Sequence, residues 1–374
     1  MTAEFSGFPQ WQNVLPQEAG FDSVRLAEAV AFAETHETTW PRDMYVDGIF
    51  VGSAFVNDKP PYNQPMGPVV PRGGANGIVL RRGALVAEWG NTRHNDMTFS
   101  IAKSYLAILT GIAVEKGLIS SIDERVGERV KDGGFDDPHN AQITWRQLLD
   151  QTSEWHGELF ERPDSVDWNR YAGADAATGN ENKGSERTLS TPGTHFEYND
   201  VRVNRLGLSL LRIFKEPLPE VLDRHIMSPL GCSSTWKWNG YETSWVDVDG
   251  KRVQSVPGGG HWGGGIVISA RDHARVGELI LNRGRWNDQQ LLSESWIDAM
   301  LTPSRAEPTY GLMWWLNPGK ALYASASEAS VFALGGGSNI IWVDHAKELV
   351  VVIRWVEKAH ADELLGRISA AIVD

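Results

Sequence analysis

The chain has a single cysteine, Cys232, among 374 residues. One thiol cannot close an intramolecular disulfide and is too few for a cysteine-based zinc site. Positive charge is also scarce, with 35 Lys plus Arg against 48 Asp plus Glu, a formal charge of −13. An acidic surface repels phosphate backbones and anionic headgroups, so nucleic-acid and membrane partners are not expected. No apolar run approaches the roughly 20 residues that span a bilayer. The opening MTAEFSGFPQWQ lacks the basic-then-apolar order of a secretory signal, and a cytoplasmic location is the expectation. Several signatures are missing too. The absence of Gly-x-Ser-x-Gly argues against an α/β-hydrolase, and there is no Walker lysine and no His-Glu-x-x-His. The ten histidines show no metal-ligand spacing and read as surface or cleft residues, so neither metal nor cofactor is expected. The stretch from Gly258 to Gly263 matches G-x-G-x-x-G, but IVIS follows where a helix should begin, which disfavours dinucleotide binding.

What is present is a folding composition, 41% hydrophobic and 22% charged, at a length that suits two domains or one with an insertion. SVRLAEAVAFAETHE (23–37) has helical spacing with Asp22 or Ser23 as cap. Residues 38–76 read as loop. NGIVLRRGALVAEWG (76–90) reads as a hairpin turning at Arg82-Gly83. SIAKSYLAILTGIAVEKG (100–117) places Ile101, Tyr105, Leu109, Ile112 and Ala113 on one helical face, and Gly117 stands at the helix stop. Thr144 and Gln147 have capping-box spacing. Residues 152–197 are long, polar and Trp-rich, a length that suits a binding loop. Helices are expected over 201–214, 219–227, 269–284 and 360–372, a break at the glycine run 257–265, and β segments at 310–316, 329–334, 338–344 and 349–356. This pattern predicts an α+β fold, an antiparallel sheet flanked by helices and built from both chain ends, with a mainly helical insertion. The expected division is 1–125 with 265–374 for the sheet domain, and 126–264 for the insertion.

The chemistry centres on Ser100-Ile101-Ala102-Lys103. Residues i and i+3 share a helix face, so Lys103 can hydrogen-bond the Ser100 hydroxyl. Apolar neighbours would desolvate the amine and favour its neutral, proton-accepting form. The helix start also offers N–H groups to a developing oxyanion. The plain alternative makes Ser100 a helix cap and Lys103 a solvated lysine. The pattern recurs at Ser234-Thr235-Trp236-Lys237, in a loop context without helical support. Two further elements are Tyr198-Asn199-Asp200 at a helix start, where a phenol can relay protons, and Ala333-Leu334-Gly335-Gly336-Gly337 between two strands, where a substrate can lie against bare backbone. Their plain alternatives are a packed aromatic and a hairpin bulge.

In this order the elements resemble the serine β-lactamase and penicillin-binding-protein superfamily, whose signature is Ser-x-x-Lys, Tyr-x-Asn and Lys-Thr-Gly. FSIAKSYLAILTGIAVEKGLISSIDERV, ITWRQLLDQTSEW, PGTHFEYNDVRVNRLG and YGLMWW are similar to successive family blocks over roughly 75–356. The nearest branches are class-C-like esterases and nylon-oligomer (aminohexanoate-dimer) hydrolases. The resemblance implies Ser100 as nucleophile, Lys103 as its base and Tyr198 as proton partner. It also implies an oxyanion hole from the Ser100 and Gly336 N–H groups, with Gly335 beside it. Asp200 departs from the family's asparagine; it can contact substrate, pair with Lys103, or be held protonated. The family's third-triplet lysine is missing, which removes a charge-assisted contact to an anionic substrate. Trp155, Trp168 and Trp262 suit an acyl or aromatic group, with core packing the plain alternative for each. The expected reaction is acyl-enzyme hydrolysis of a small-molecule ester or amide. β-Lactamase or D-amino-peptidase activity is an alternative, and a non-catalytic binder or scaffold another.

Overall fold

The computed structural model describes residues 11–172 and 180–374. Most of the amino-terminal stretch, and residues 173–179 within the long polar loop, lie outside this range.

Six strands make the main sheet: β1 (Asn76–Arg81), β2 (Ala84–Trp89), β3 (Trp315–Leu316), β4 (Ser330–Gly335), β5 (Asn339–Asp344) and β6 (Leu349–Arg354). Their order is β3-β4-β5-β6-β1-β2, antiparallel throughout. Both ends of the chain therefore meet at the β6–β1 pairing, where Val351 lies opposite Val79. Arg82 and Gly83 join β1 to β2 with φ of 50° and 75°, the left-handed pair that matches the twist of the flanking strands.

Strands β1, β5 and β6 read as unbroken apolar runs because both faces of the sheet are covered. Successive side chains alternate between two cores. Ile78, Leu80, Ile341, Val343, Val350 and Val352 join one core with α2 (Ile101–Glu115), α3 (Asp200–Phe214) and α4 (Ala270–Leu281). Val79, Ile340, Trp342, Val351 and Ile353 join the other with α1 (Ser23–Thr35) and α5 (Ala361–Ala371). Asp22 caps α1 by accepting from the Val24 and Arg25 N–H groups at 2.9 and 3.0 Å. Residues 101–113 of α2 are buried all round, the state of a helix at the centre of a fold. Gly117 ends that helix with a φ of 69°, and the Thr144–Gln147 capping box is formed.

Some elements differ from expectation. Only Trp315 and Leu316 of 310–316 pair as strand. The rest is a buried turn closed by the Gly311 N–H donating to the Trp314 carbonyl, and short apolar runs do not distinguish the two by periodicity. Residues 38–76 are not all loop, since Tyr45–Val46 pairs with Ile49–Phe50 and a short helix covers Val51–Phe55. The glycine run 257–265 is buried throughout. It passes against α2 and α3, where a Cβ on Gly258 would lie 2.3 Å from Val203 and 2.8 Å from Leu106. Among the described residues, no helix is long and apolar enough to cross a membrane.

Candidate active site

Ser100 stands at the start of α2, directly after Phe99, which has a φ of 49°. A bulky residue in the left-handed region costs of order 1–3 kcal/mol and persists only where packing enforces it. Here the Phe99 ring is held by Trp40, Phe50 and Trp355, with ring centroids 5.6, 6.2 and 6.4 Å away. The strained residue turns the chain so that Ser100 faces a cleft. Its hydroxyl makes no cap bond to the helix; it accepts instead from Lys103 Nζ at 2.8 Å. Lys103 is only 1% exposed, so the plain reading of a solvated lysine does not hold.

Helix α3 supplies the next groups. Asn199 caps it by accepting from the Val201 and Arg202 N–H groups. This fixes Tyr198 just outside the helix and Asp200 in its first turn. The Tyr198 ring stacks on Trp315 at 5.7 Å and lies 4.5 Å from Lys103 Nζ. Asp200 is buried and pairs through Oδ1 with Lys103. Its Oδ2 meets Arg170 at 3.1 Å and His261 Nδ1 at 2.5 Å. Burial alone would raise the Asp200 carboxyl, but the charges of Lys103, Arg170 and His261 outweigh it and hold the group well below the usual carboxylate range. Asp200 is thus an ionised partner of the lysine.

The pairing continues into a closed circuit. Arg170 bridges Asp200 to Asp167, 3.2 Å away, and Asp167 also accepts the Asp200 N–H at 2.7 Å. Lys183 joins Asp167, at 3.0 Å, to Asp58. Asp58 faces His261 Nε2 at 3.5 Å and accepts from the Trp262 indole at 2.7 Å. Burial tends to raise Asp167, but Lys183, Arg170 and His261 bring it down to about 2. For Asp58 burial prevails and the carboxyl sits above its ordinary value, although His261 and Lys183 oppose the rise. Asp58, Asp167 and His261 could offer metal-ligand atoms, but the Lys183 ammonium bonds both carboxylates and fills the place a cation would take.

The cleft beside Ser100 has a volume of about 330 Å³. Tyr198, residues 334–338 and Arg170 line it near the serine, while Trp40, Phe55, Trp315 and Tyr323 give it apolar walls. Gly335 is required for this closeness, since a Cβ there would lie 2.2 Å from the Thr98 carbonyl oxygen. Gly336 is also on the cleft wall.

The structure therefore brings Ser100, Lys103, Tyr198, Gly335 and Gly336 to one place. Asp200 is there too, but beneath the lysine, not as a substrate contact. The expected tryptophans do not line the cleft. Trp155 is core, its indole donating to the Gly134 carbonyl at 2.7 Å. Trp168 is tied to Asp164 at 2.8 Å, and Trp262, fully buried, to Asp58. A large aromatic in a polar stretch packs wherever its N–H finds an acceptor. Two histidines are not surface or cleft groups. His261 lies in the circuit, and His273 is buried between Thr98 and Tyr105, 2.6 and 2.8 Å away. Sequence reading missed Asp58, Asp167, Arg170, Lys183 and His261. For His261 the signal was its glycine run, since a Cβ on Gly259 would lie 2.6 Å from Asp200. Asp58, Arg170 and Lys183 stand in loop segments and Asp167 at the end of a single 3-10 turn, Asp164–Asp167, none with periodicity to mark it.

The profile of the beta-lactamase family matches residues 72–366. A 6-aminohexanoate-dimer hydrolase of Paenarthrobacter ureafaciens is 22% identical over 301 residues, covering 74% of this chain and 70% of its own. Among solved structures, EstCE1, a hydrolase with promiscuous acyltransferase activity, superposes with a TM-score of 0.58 at 14% identity, covering 94% of this chain and 99% of that one. A beta-lactamase/D-alanine carboxypeptidase from Pseudomonas syringae gives 0.56 at 17% identity over 81% and 93%. With its profile matched across most of its length and its serine, lysine and tyrosine gathered at one cleft, the chain belongs to the beta-lactamase family of hydrolases.

Proposed function

We propose that the protein is a serine hydrolase that cleaves uncharged carboxylic esters or small amides through an acyl-enzyme. The observation that carries this reading is the 2.8 Å hydrogen bond between a buried Lys103 and a Ser100 hydroxyl facing the cleft. In the reaction Ser100 Oγ attacks the substrate carbonyl and Lys103 accepts its proton. The Ser100 and Gly336 N–H groups receive the oxyanion. Tyr198 passes a proton to the leaving group and later helps draw one from water. Aromatic walls suit an apolar acyl group. No lysine stands in the third triplet, where Leu334 and Gly335 line the cleft, and this favours uncharged substrates over anionic β-lactams. Esters are preferred over amides because they need less protonation of the leaving group. The relative that hydrolyses a 6-aminohexanoate dimer keeps linear amides in the panel.

The ion pair between Lys103 and Asp200 favours a second reading, a non-catalytic binder whose lysine is permanently occupied. A fluorophosphonate separates the two. Stoichiometric labelling at Ser100, with turnover of p-nitrophenyl esters above linear amides and a chromogenic cephalosporin, is the expected result. Folded protein that takes up no label overturns the hydrolase reading.

A further inference from the structure

Asp200 poses a problem for the hydrolase reading, on which this inference rests: an ionised carboxylate against Lys103 favours the ammonium, whereas a base must be the free amine. The circuit contains its own answer. Its directly paired side chains comprise three carboxylates, Asp58, Asp167 and Asp200, and three permanent or potential cations besides His261, namely Lys103, Arg170 and Lys183. With Lys103 protonated and His261 neutral, charges balance. With Lys103 neutral and His261 protonated, they balance equally. Only the forms with both or neither protonated leave a net charge in a buried site, which is costly.

We propose that Lys103 and His261 share a single ionising proton across Asp200, so that His261 is the positioning residue that carries this proton while Lys103 acts as base. Asp200 touches the lysine through one oxygen and the imidazole through the other. The second imidazole nitrogen, Nε2, is buried without a hydrogen-bond partner and faces Asp58 at 3.5 Å. In the exchange Lys103 gives up one proton by way of the Ser100 hydroxyl, which faces the cleft, and becomes an amine. His261 takes one up at Nε2, where the new N–H points at Asp58, and the number of protons in the circuit is unchanged. The Asp58 carboxyl, the one that burial raises, gains a facing cation in this form. Asp167 lies in the same cluster, bonded to Lys183. On the remaining side His261 packs on the Trp262 ring at 3.9 Å, with Arg162 and Tyr241 against that indole. Those groups are common to both forms.

The test is the rate at which a fluorophosphonate labels Ser100 between about pH 5 and about pH 10, a range that brackets His and Lys titration. His261→Gln cannot hold the proton, so the acid limb should move up by about one pH unit or more, with the alkaline plateau retained. Asp200→Asn removes the carboxylate that retains the lysine's proton, so the limb should move down. In that background His261→Gln should add nothing. An acid limb unchanged in His261→Gln, or shifted equally in both backgrounds, overturns the proposal while leaving Ser100 as nucleophile. Absence of labelling in the wild type overturns the hydrolase reading instead. A second measurement needs no labelling: in ¹⁵N-imidazole NMR, Lys103→Met should keep His261 doubly protonated to a pH about one unit higher than in the wild type. Identical His261 titration in the two proteins refutes the shared proton.

Discussion

Ser-x-x-Lys occurs twice in this chain, and the two copies end up in opposite circumstances. At Ser100 the pattern occupies the first turn of a buried helix. Its hydroxyl accepts from the lysine, and the lysine is sealed from water against Asp200 and Tyr198. At Ser234 the serine is exposed before a short strand, Lys237–Asn239, and its lysine is exposed on that strand. A three-residue offset joins two side chains only on a helix; on an extended segment i and i+3 point to opposite faces. The comparison teaches that the four-residue pattern has no chemistry of its own. Helical backbone supplies the contact between the two side chains, and tertiary packing decides whether they are buried with counter-charges or left in water.

The largest effect should come from deleting each serine. Ser100→Ala is expected to lower ester turnover by roughly three orders of magnitude or more, as loss of a nucleophile does, with stability within about 1 kcal/mol. Ser234→Ala should leave turnover within about twofold, as a surface change does. A chromogenic ester assay with thermal melts checks both, and loss of turnover at Ser234 would break the contrast. Next come the lysines. Lys103→Ala should slow acylation by about 10²–10⁴-fold, the usual worth of a positioned base. It should also destabilise the fold by about 3 kcal/mol, the lower end for a broken buried pair because Arg170 and His261 still face Asp200. Lys237→Ala should cost no more than about 0.5 kcal/mol. Denaturant titration and burst kinetics read the two.

The third prediction concerns acid. Asp167, set at about 2 against an ordinary 3.8, contributes stability that is present above pH 3.8 and lost as pH falls towards 2. Melting temperature should therefore drop over that window, and Asp167→Asn should flatten the drop. A wild-type curve already flat there would contradict an ionised circuit. The smallest effect has the opposite sign. Glu278 is buried and bonded to the Trp11 indole; burial pushes its carboxyl up to about 7, although Trp11 and Arg275 oppose the rise. The stability this group contributes is full below its ordinary 4.5 and lost as pH rises through 7. Glu278→Gln should be more stable than the wild type at about pH 8, and the gap should narrow at about pH 5. Two buried carboxylates, one faced by cations and one by an indole, then titrate in opposite directions.

Much of this architecture is legible along the chain. The apolar runs of β1, β5 and β6, the spacing of α2 and the Gly117 stop act over a few residues, and local sterics and burial dictate them. Ser100 and Lys103 could be singled out in the first turn of one helix, and Tyr198 directly before the cap of another. The circuit could not be read this way. Asp58 and Lys183 are 125 residues apart, and an aspartate in a loop looks the same whether it is solvated or buried against an ammonium. The tryptophans stayed open between cleft and core for a related reason, since composition shows that 16 are present but not which faces they fill.

By itself the sequence determined the helix that sets Lys103 one turn beyond Ser100, and the strands that bring the two chain ends together. Both follow from backbone geometry repeated over neighbouring residues. Only the tertiary structure decided that Asp200 is ionised, that Lys103 is dry, and that Asp58, Asp167, Arg170, Lys183 and His261 stand around them. Charge pairing in a buried site depends on distance in space, which a chain order does not contain.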